Sequence, residues 1–246
     1  MKSISEVITA LDEIIESSIR SQSPLGYFAA LYRKVTIKIQ HGIDNNEFDN
    51  GELVEKLDII FAQRYLDAYT EYLNGKTTTL SWGVAMSAGH KWNPIVIQHL
   101  LFGMNAHINL DLGVSMFQSS PDSIERLKGD FDKVNDILSS LVDTAQKDLT
   151  EIWPLLKWIL RITGKIDNVF IDFSMKKARD GAWKFAQELS MMPNELIQTC
   201  IEERDMKVAK VSRLISMPGI LISGLLILIR IFEVGSTHQK IIKLRD

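Results

Sequence analysis

The sequence predicts an all-α fold: one domain, residues 1–246, with about eight to nine helices bundled around a central apolar helix at 94–117. Three observations carry this. Apolar residues recur at helical spacing along almost the whole chain, and no stretch shows the alternation that a half-buried strand needs. Helix-start signals are frequent: Ser3-x-x-Glu6 has the form of a capping box, and Ser23-Pro24, Asn93-Pro94 and Ser120-Pro121 each set a cap before a proline suited to the first turn. Stop signals answer them at His41-Gly42, Asn74-Gly75 and Gly164.

In chain order, helical patterns run over about 3–21, 24–41, 50–74, 79–90, 94–117, 121–147, 150–163, 168–191 and 194–216, with a further apolar run at 218–234. The first carries its acids, Glu6, Asp12 and Glu13, on an amphipathic pattern and lacks the apolar core of a signal peptide. The connections near 42–49 and 74–79 are too short to mark a domain boundary. From Met217 to Ile229 the chain is almost wholly apolar but is interrupted by Pro218, Gly219, Ser223 and Gly224, and it falls short of the ~20 residues that span a bilayer. It reads as a buried core helix, with an interfacial membrane anchor as the alternative.

Composition narrows the function classes. Hydrophobic residues make up 46% and charged residues 24%, an ordinary globular balance. A net charge of -3 without a basic stripe argues against nucleic acid as a partner. A single cysteine, Cys200, permits no internal disulfide and reads as a small packing residue, so the expected location is the cytoplasm. A phosphate-cradling glycine loop, a Gly-x-Ser-x-Gly elbow, His-Glu-x-x-His and paired Cys-x-x-Cys are all missing from the sequence.

The informative stretch is the central helix. Residues 94–117 contain no Lys, Arg or Glu, yet His99, Asn105, His107, Asn109 and Asp111 fall within thirteen positions of it. Burying each of these costs free energy unless it is hydrogen-bonded or metal-bound. His99, Gly103, His107 and Asp111 share one slowly rotating stripe, with Gly103 leaving a gap, while Asn105 and Asn109 form a second pair one turn apart. His99 and His107 are eight residues apart, roughly 12 Å of helix, which is too far for a shared mononuclear site. His107 and Asp111, at i and i+4, are the natural pair: either two ligands of a divalent zinc, iron or manganese ion, or a dyad in which Asp111 orients the imidazole. Further metal ligands would come from other helices, with Asp67, His90, Asp132 and Glu233 as candidates. The competing reading is structural, with the same groups fixing helix register through hydrogen bonds.

Other positions bear on the site. Arg64 stands three residues before Asp67, so it reads either as half of a local ion pair or as an inward clamp for a carboxylate or phosphate. Arg179 and Trp183, at i and i+4, suggest a cation–π pair. Asp132 and Asn135 lie on the helix after the central one, where antiparallel packing would bring them against the His99 to Asp111 stripe.

The run His-Leu-Leu-Phe-Gly-Met-Asn-Ala-His-Ile-Asn-Leu-Asp-Leu-Gly at His99 to Gly113 resembles the hallmark of a family of bacterial helical proteins described as a domain of unknown function. The resemblance extends to Arg64-Tyr65-Leu66-Asp67-Ala68, Asp132-Lys133-Val134-Asn135, Ala178 to Trp183 and Arg204-Asp205, about two thirds of the chain. It implies a shared helical fold and a shared polar centre, and it carries no agreed reaction. The density of polar groups on the central helix sets the expected function: an enzyme with its site buried in the bundle, acting on a small, largely apolar molecule as a metal-dependent hydrolase or oxygenase or as a metal-free acid–base isomerase or cyclase. In it His107 serves as base or metal ligand, Asp111 orients or co-ligates it, and His99 assists. Asn105, Asn109, Arg64, Asp132, Asn135 and Arg179 would bind substrate. The alternative is a ligand-binding or scaffold protein with a purely structural network.

Overall fold

The structure, a computed structural model, describes residues 1–121, 123–134, 137 and 175–246. The expected helix at 150–163, the stop at Gly164, Asn135, most of 121–147 and the start of 168–191 lie outside the described residues. Among those described there is no strand, and the chain is an all-α bundle.

Its elements are α1 (Ile4–Ser21), α2 (Gly26–Asp44), α3 (Gly51–Leu73) and α4 (Leu80–Ser87), the last running into a 3-10 turn at Ala88–His90. The central helix follows as α5 (Val96–Ala106), a π-helical segment at His107–Asp111, and α6 (Leu112–Ser119). A 3-10 turn at Ile124–Leu127 leads into helix at 128–134, and the chain closes with α7 (Met175–Ser190), α8 (Asn194–Ser216), α9 (Ile220–Ile231) and α10 (Thr237–Arg245).

The central helix is buried as its composition requires. Helices α2, α4 and α8 pack on α5, and α3 and α7 pack on α6. The main core joins Leu11, Tyr27, Tyr65, Trp82, Leu100 and Phe102, all fully buried or nearly so, and each such side chain contributes about 1.5–3 kcal/mol. A second cluster, including Met116, Leu127, Phe131 and Trp183, seals α6 against α7.

Three buried carboxylates fix where helices begin. Asp205 accepts from the backbone N–H groups of Leu80 (2.6 Å) and Ser81 (2.9 Å) at the start of α4. Asp130 takes those of Asp49 (2.7 Å) and Asn50 (2.9 Å) just before α3. Glu233 accepts from Val96 N–H (2.9 Å) at the start of α5 and is itself held by Arg230 and Lys240. A helix start carries unpaired N–H groups and a positive dipole end, so each anion sits where the backbone favours it.

Three features depart from the sequence reading. Gly42 does not end α2, which runs on to Asp44: the Phe48 ring occupies the place a Cβ would take, so this glycine serves packing. Residues 237–245 form a helix, capped by Ser236 and Gln239, that docks Ile241 and Leu244 against α1 and α2 and leaves His238 exposed. The apolar run after Met217 is not a buried core helix. The chain turns at Pro218 and Gly219 (φ +103°), and α9 then lies along the surface, packing Leu225, Leu226 and Ile229 inward. Its opposite side stays open, with Ile220 93% and Ile231 62% exposed.

Candidate active site at the His107–Asp111 centre

The sequence stripe of the central helix is interrupted where its polar residues converge. From His107 to Asp111 the helix widens to π geometry, with the Leu112 N–H donating to the His107 carbonyl five residues back. Such single π turns insert one residue into the ladder, re-aim the side chains around them and recur at functional sites. Within the turn, Arg204 of α8 donates from Nε to the Asn109 carbonyl at 2.8 Å.

Asp111 is the hub. Its carboxylate, 1% exposed, accepts from Arg64 Nε (2.8 Å) at Oδ1 and from Trp82 Nε1 (2.8 Å) and His107 Nδ1 (3.3 Å) at Oδ2. Because an ionised carboxylate only accepts, the pattern assigns the His107 proton to Nδ1 and leaves Nε2 as the acceptor. Nε2 is buried and has no hydrogen-bond partner. Burial pushes the His107 imidazolium below its ordinary range; Asp111 opposes this and Arg64 adds to it. The ring is therefore neutral near pH 7.

Aromatic rings enclose this histidine. Phe61 stacks on it with centroids 3.5 Å apart, Tyr32 meets it edge-on at 4.6 Å, and Phe28, Trp82 and Tyr65 stand at 5.6, 6.0 and 6.2 Å. Two further buried polar atoms without partners belong to Tyr32, whose ring packs on His107, and to Asp58 of α3. The Tyr32 hydroxyl has no partner, and burial, followed by the charges of Asp58 and Asp111, drives its pKa well up. Asp58 Oδ2 has none either, and burial, with Glu55 adding to it, raises that carboxyl to about 7.

His99 occupies a different compartment. It borders a cavity of about 20 Å³ with Leu25, Phe28, Tyr65, Trp82 and Gly103, room for about one water molecule. Phe28, Tyr65 and Trp82 thus line this cavity and also pack on His107. The gap left by Gly103 is filled by Phe28, since a Cβ there would stand 2.5 Å from that ring. Burial lowers the His99 pKa to about 4, against the pull of Glu233 and the Pro94 backbone.

The structure brings together Arg64, His107 and Asp111, and it corrects several other placements. Arg64 does not pair with Asp67, which is exposed and bonded to Gln63; the guanidinium turns inward and clamps the protein's own Asp111. Asn105 and Asn109 do pair (3.0 Å), but Asn105 also donates to the Val208 carbonyl (2.9 Å) and Ser212 Oγ (2.8 Å), so this face ties α5 to α8. Asp132 is exposed and held by Lys128 at 2.6 Å, because it stands on the outer side of its helix while Asp130 and Phe131 face inward. Arg179 does not stack on Trp183; it lies over Phe131 at 4.2 Å and donates to that residue's carbonyl at 3.1 Å, and Trp183 packs on Phe131 instead.

Of the further ligands expected for a metal, His90 is exposed, Asp67 and Asp132 are on the surface, and Glu233 is committed to the start of α5. Among the described residues no three His, Cys, Asp or Glu side chains converge to hold a metal ion. The donor set itself fits a proton better than a cation, since the Asp111 carboxylate already receives a guanidinium and two ring N–H groups.

Sequence reasoning missed Tyr32, Asp58 and Trp82. Asp58 left a signal: it falls on the buried α3 stripe Val54, Asp58, Ala62, Tyr65, Leu66, an acid in core phase. Trp82 left none, because only the packing of α4 on α5 brings its indole to Asp111.

Neither a curated protein nor a solved structure matches this chain. A family model does, described as a family of unknown function (DUF5995), over residues 4–218. The chain belongs to that family.

Proposed function

We propose that the protein is an enzyme that moves a proton on a small, largely apolar molecule, with His107 Nε2 as the base. One observation carries the reading: His107 is locked through Nδ1 to a fixed carboxylate while its other nitrogen, buried among aromatic rings, has no partner. A histidine kept only for packing would have both nitrogens satisfied, because an unpaired buried polar atom costs about 1–3 kcal/mol. Asp111 holds the tautomer and would stabilise the imidazolium formed on proton transfer, as in other carboxylate–histidine dyads. Arg64 and Trp82 keep Asp111 in place, and Tyr32, whose ring packs on His107, together with Asp58, whose charge acts on Tyr32, has the chemistry to return a proton. The aromatic enclosure selects an apolar or aromatic substrate. Admitting one requires Phe28 or Trp82 to swing aside, since the neighbouring cavity holds only a water.

A structural reading has one observation in its favour, the close stacking of Phe61 on His107. Ring nitrogen NMR of the purified protein, during titration with a library of small apolar alcohols, phenols and ketones, separates the two. The enzyme reading expects an Nδ1–H tautomer, an Nε2 resonance that moves with at least one compound, and a His107→Gln variant that loses this response with little loss of stability. A resonance that no compound moves, together with a loss of about 3 kcal/mol in His107→Gln, would establish the scaffold reading instead.

A further inference from the structure

The exposed side of α9 is one continuous apolar face. Ile220, Gly224, Ile227, Leu228 and Ile231, all exposed, recur at i, i+4, i+7, i+8 and i+11, the spacing of a single helix stripe. The end of α8 extends it through Leu214 (67% exposed) and Met217 (77%), and Phe232 and Val234 continue it past Ile231. So much contiguous apolar surface marks an interaction site.

Charge decides what it meets. From Met206 to Phe232 the chain carries Lys207, Lys210, Arg213 and Arg230 and no acid. Lys207, Lys210 and Arg213 are exposed on α8, leading up to the apolar face. At the far end Arg230, its charge paired with Glu233, donates to the Trp92 carbonyl (2.8 Å) and lies over its indole, which is itself 63% exposed. A second copy docked through the same stretch would bring no acid from it to offset these cations. Cations at the edge of an apolar helix face, with a tryptophan at its rim, match an anionic lipid surface.

We propose that α9 and the end of α8 seat the protein on the surface of an anionic bilayer, with α9 lying in the plane of the interface. The helix has 12 residues, and no helix among the described residues is long and apolar enough to cross a membrane, so the contact is interfacial. Helix α9 lies beyond residue 218, where the family match ends, while the α8 residues of the surface lie within the matched range.

Vesicle flotation of the full chain tests this, with pure phosphatidylcholine compared with phosphatidylcholine containing about one-third phosphatidylserine. The expected result is flotation with the anionic vesicles only, weakened by salt. Binding should fall about fivefold for each cation removed in Lys210→Gln and Arg213→Gln. It should be lost in the double variant Ile220→Asp/Ile231→Asp, whose far-ultraviolet circular dichroism stays that of the parent because both positions are exposed. No flotation of the parent protein overturns the proposal. So does a parent that is dimeric by sedimentation and becomes monomeric in the double variant, which would make the face a contact between copies.

Discussion

The buried carboxylates of this protein fall into two groups that differ in what satisfies them. Asp205, Asp130 and Glu233 accept backbone N–H groups at the starts of α4, α3 and α5, while Asp111 is bonded by side chains alone and Asp58 keeps an oxygen with no partner. The first group is architecture, since the backbone supplies donors whatever the neighbouring side chains are. The second group exists only because particular side chains converge. The two are coupled: the clamped helices are those that deliver Trp82, the Asp58–Phe61–Arg64 run and His99. Three anions set the axial position of the helices, and the centre between them can then hold groups that are poorly satisfied.

The largest effect should come from breaking a clamp. Asp205→Ala removes two charge-assisted bonds to buried N–H groups and leaves both donors unpaired, so it should cost roughly 4 kcal/mol in urea unfolding. The loss of α4's anchor should also loosen Trp82, visible as a shift in its fluorescence. Asp58→Asn should do the opposite. The folded protein holds the Asp58 carboxyl at about 7, above its ordinary 3.8, so the stability its protonated form allows is present below pH 3.8, is lost as the pH rises through this interval, and is fully lost above pH 7. The variant should be about 4 kcal/mol more stable than the parent at pH 8, and the gain should shrink to nothing below about pH 3, where both folded and unfolded parent chains carry the proton. A destabilised Asp58→Asn at pH 8 would move Asp58 into the architectural group.

His99 gives the reverse slope. Its folded pKa of about 4 lies below the ordinary 6.5, so its stability contribution is intact above pH 6.5 and is lost as the pH falls toward 4. His99→Gln should match the parent at pH 7 and become more stable by about 3 kcal/mol at pH 4. Between these limits the His99 and Asp58 slopes offset each other in the parent, so each single variant exposes the slope of the other.

What was legible in the sequence follows the same division. Helix positions are local matters of periodicity and capping, and α1, α3 and α8 lie where those signals put them. The central helix was legible because its composition forbids exposure, and the His107–Asp111 pair because i,i+4 spacing is a property of one helix. The partners of that pair come from α3 and α4, and no local rule could choose Asp111 over Asp67 for Arg64. Helix α9 was misjudged for a related reason: hydropathy states that a segment is apolar, and only packing states whether anything covers it. Helix α10 was missed although the Ser236-x-x-Gln239 capping box stood in the sequence, because its short apolar pattern offered little periodicity to read.

Next in size is the wall between the two histidine compartments. Gly103→Ala places a methyl group 2.5 Å from the Phe28 ring, which also contacts His107, Trp82 and Tyr65 and lines the cavity beside His99. Overpacking of this kind costs about 2 kcal/mol, and it should move the His107 ring resonances as well as those of His99. Movement at His99 alone would show that Phe28 does not join the two compartments.

The smallest effect belongs to the asparagine face, and it tests whether that face is part of the centre at all. Asn109 is only partly buried and contributes one side-chain bond, to Asn105 Oδ1, while its carbonyl is held by Arg204 through the backbone. Asn109→Ala should therefore cost about 1 kcal/mol, leave the π turn in place and leave the His107 Nε2 resonance where it was. Asn105→Ala, which unties α5 from the Val208 carbonyl and Ser212, should cost about twice as much with the same spectroscopic silence. If Asn109→Ala moves the His107 resonance, the pair at 105 and 109 reaches the reacting centre through the π turn, and the line between architecture and chemistry runs through the central helix itself.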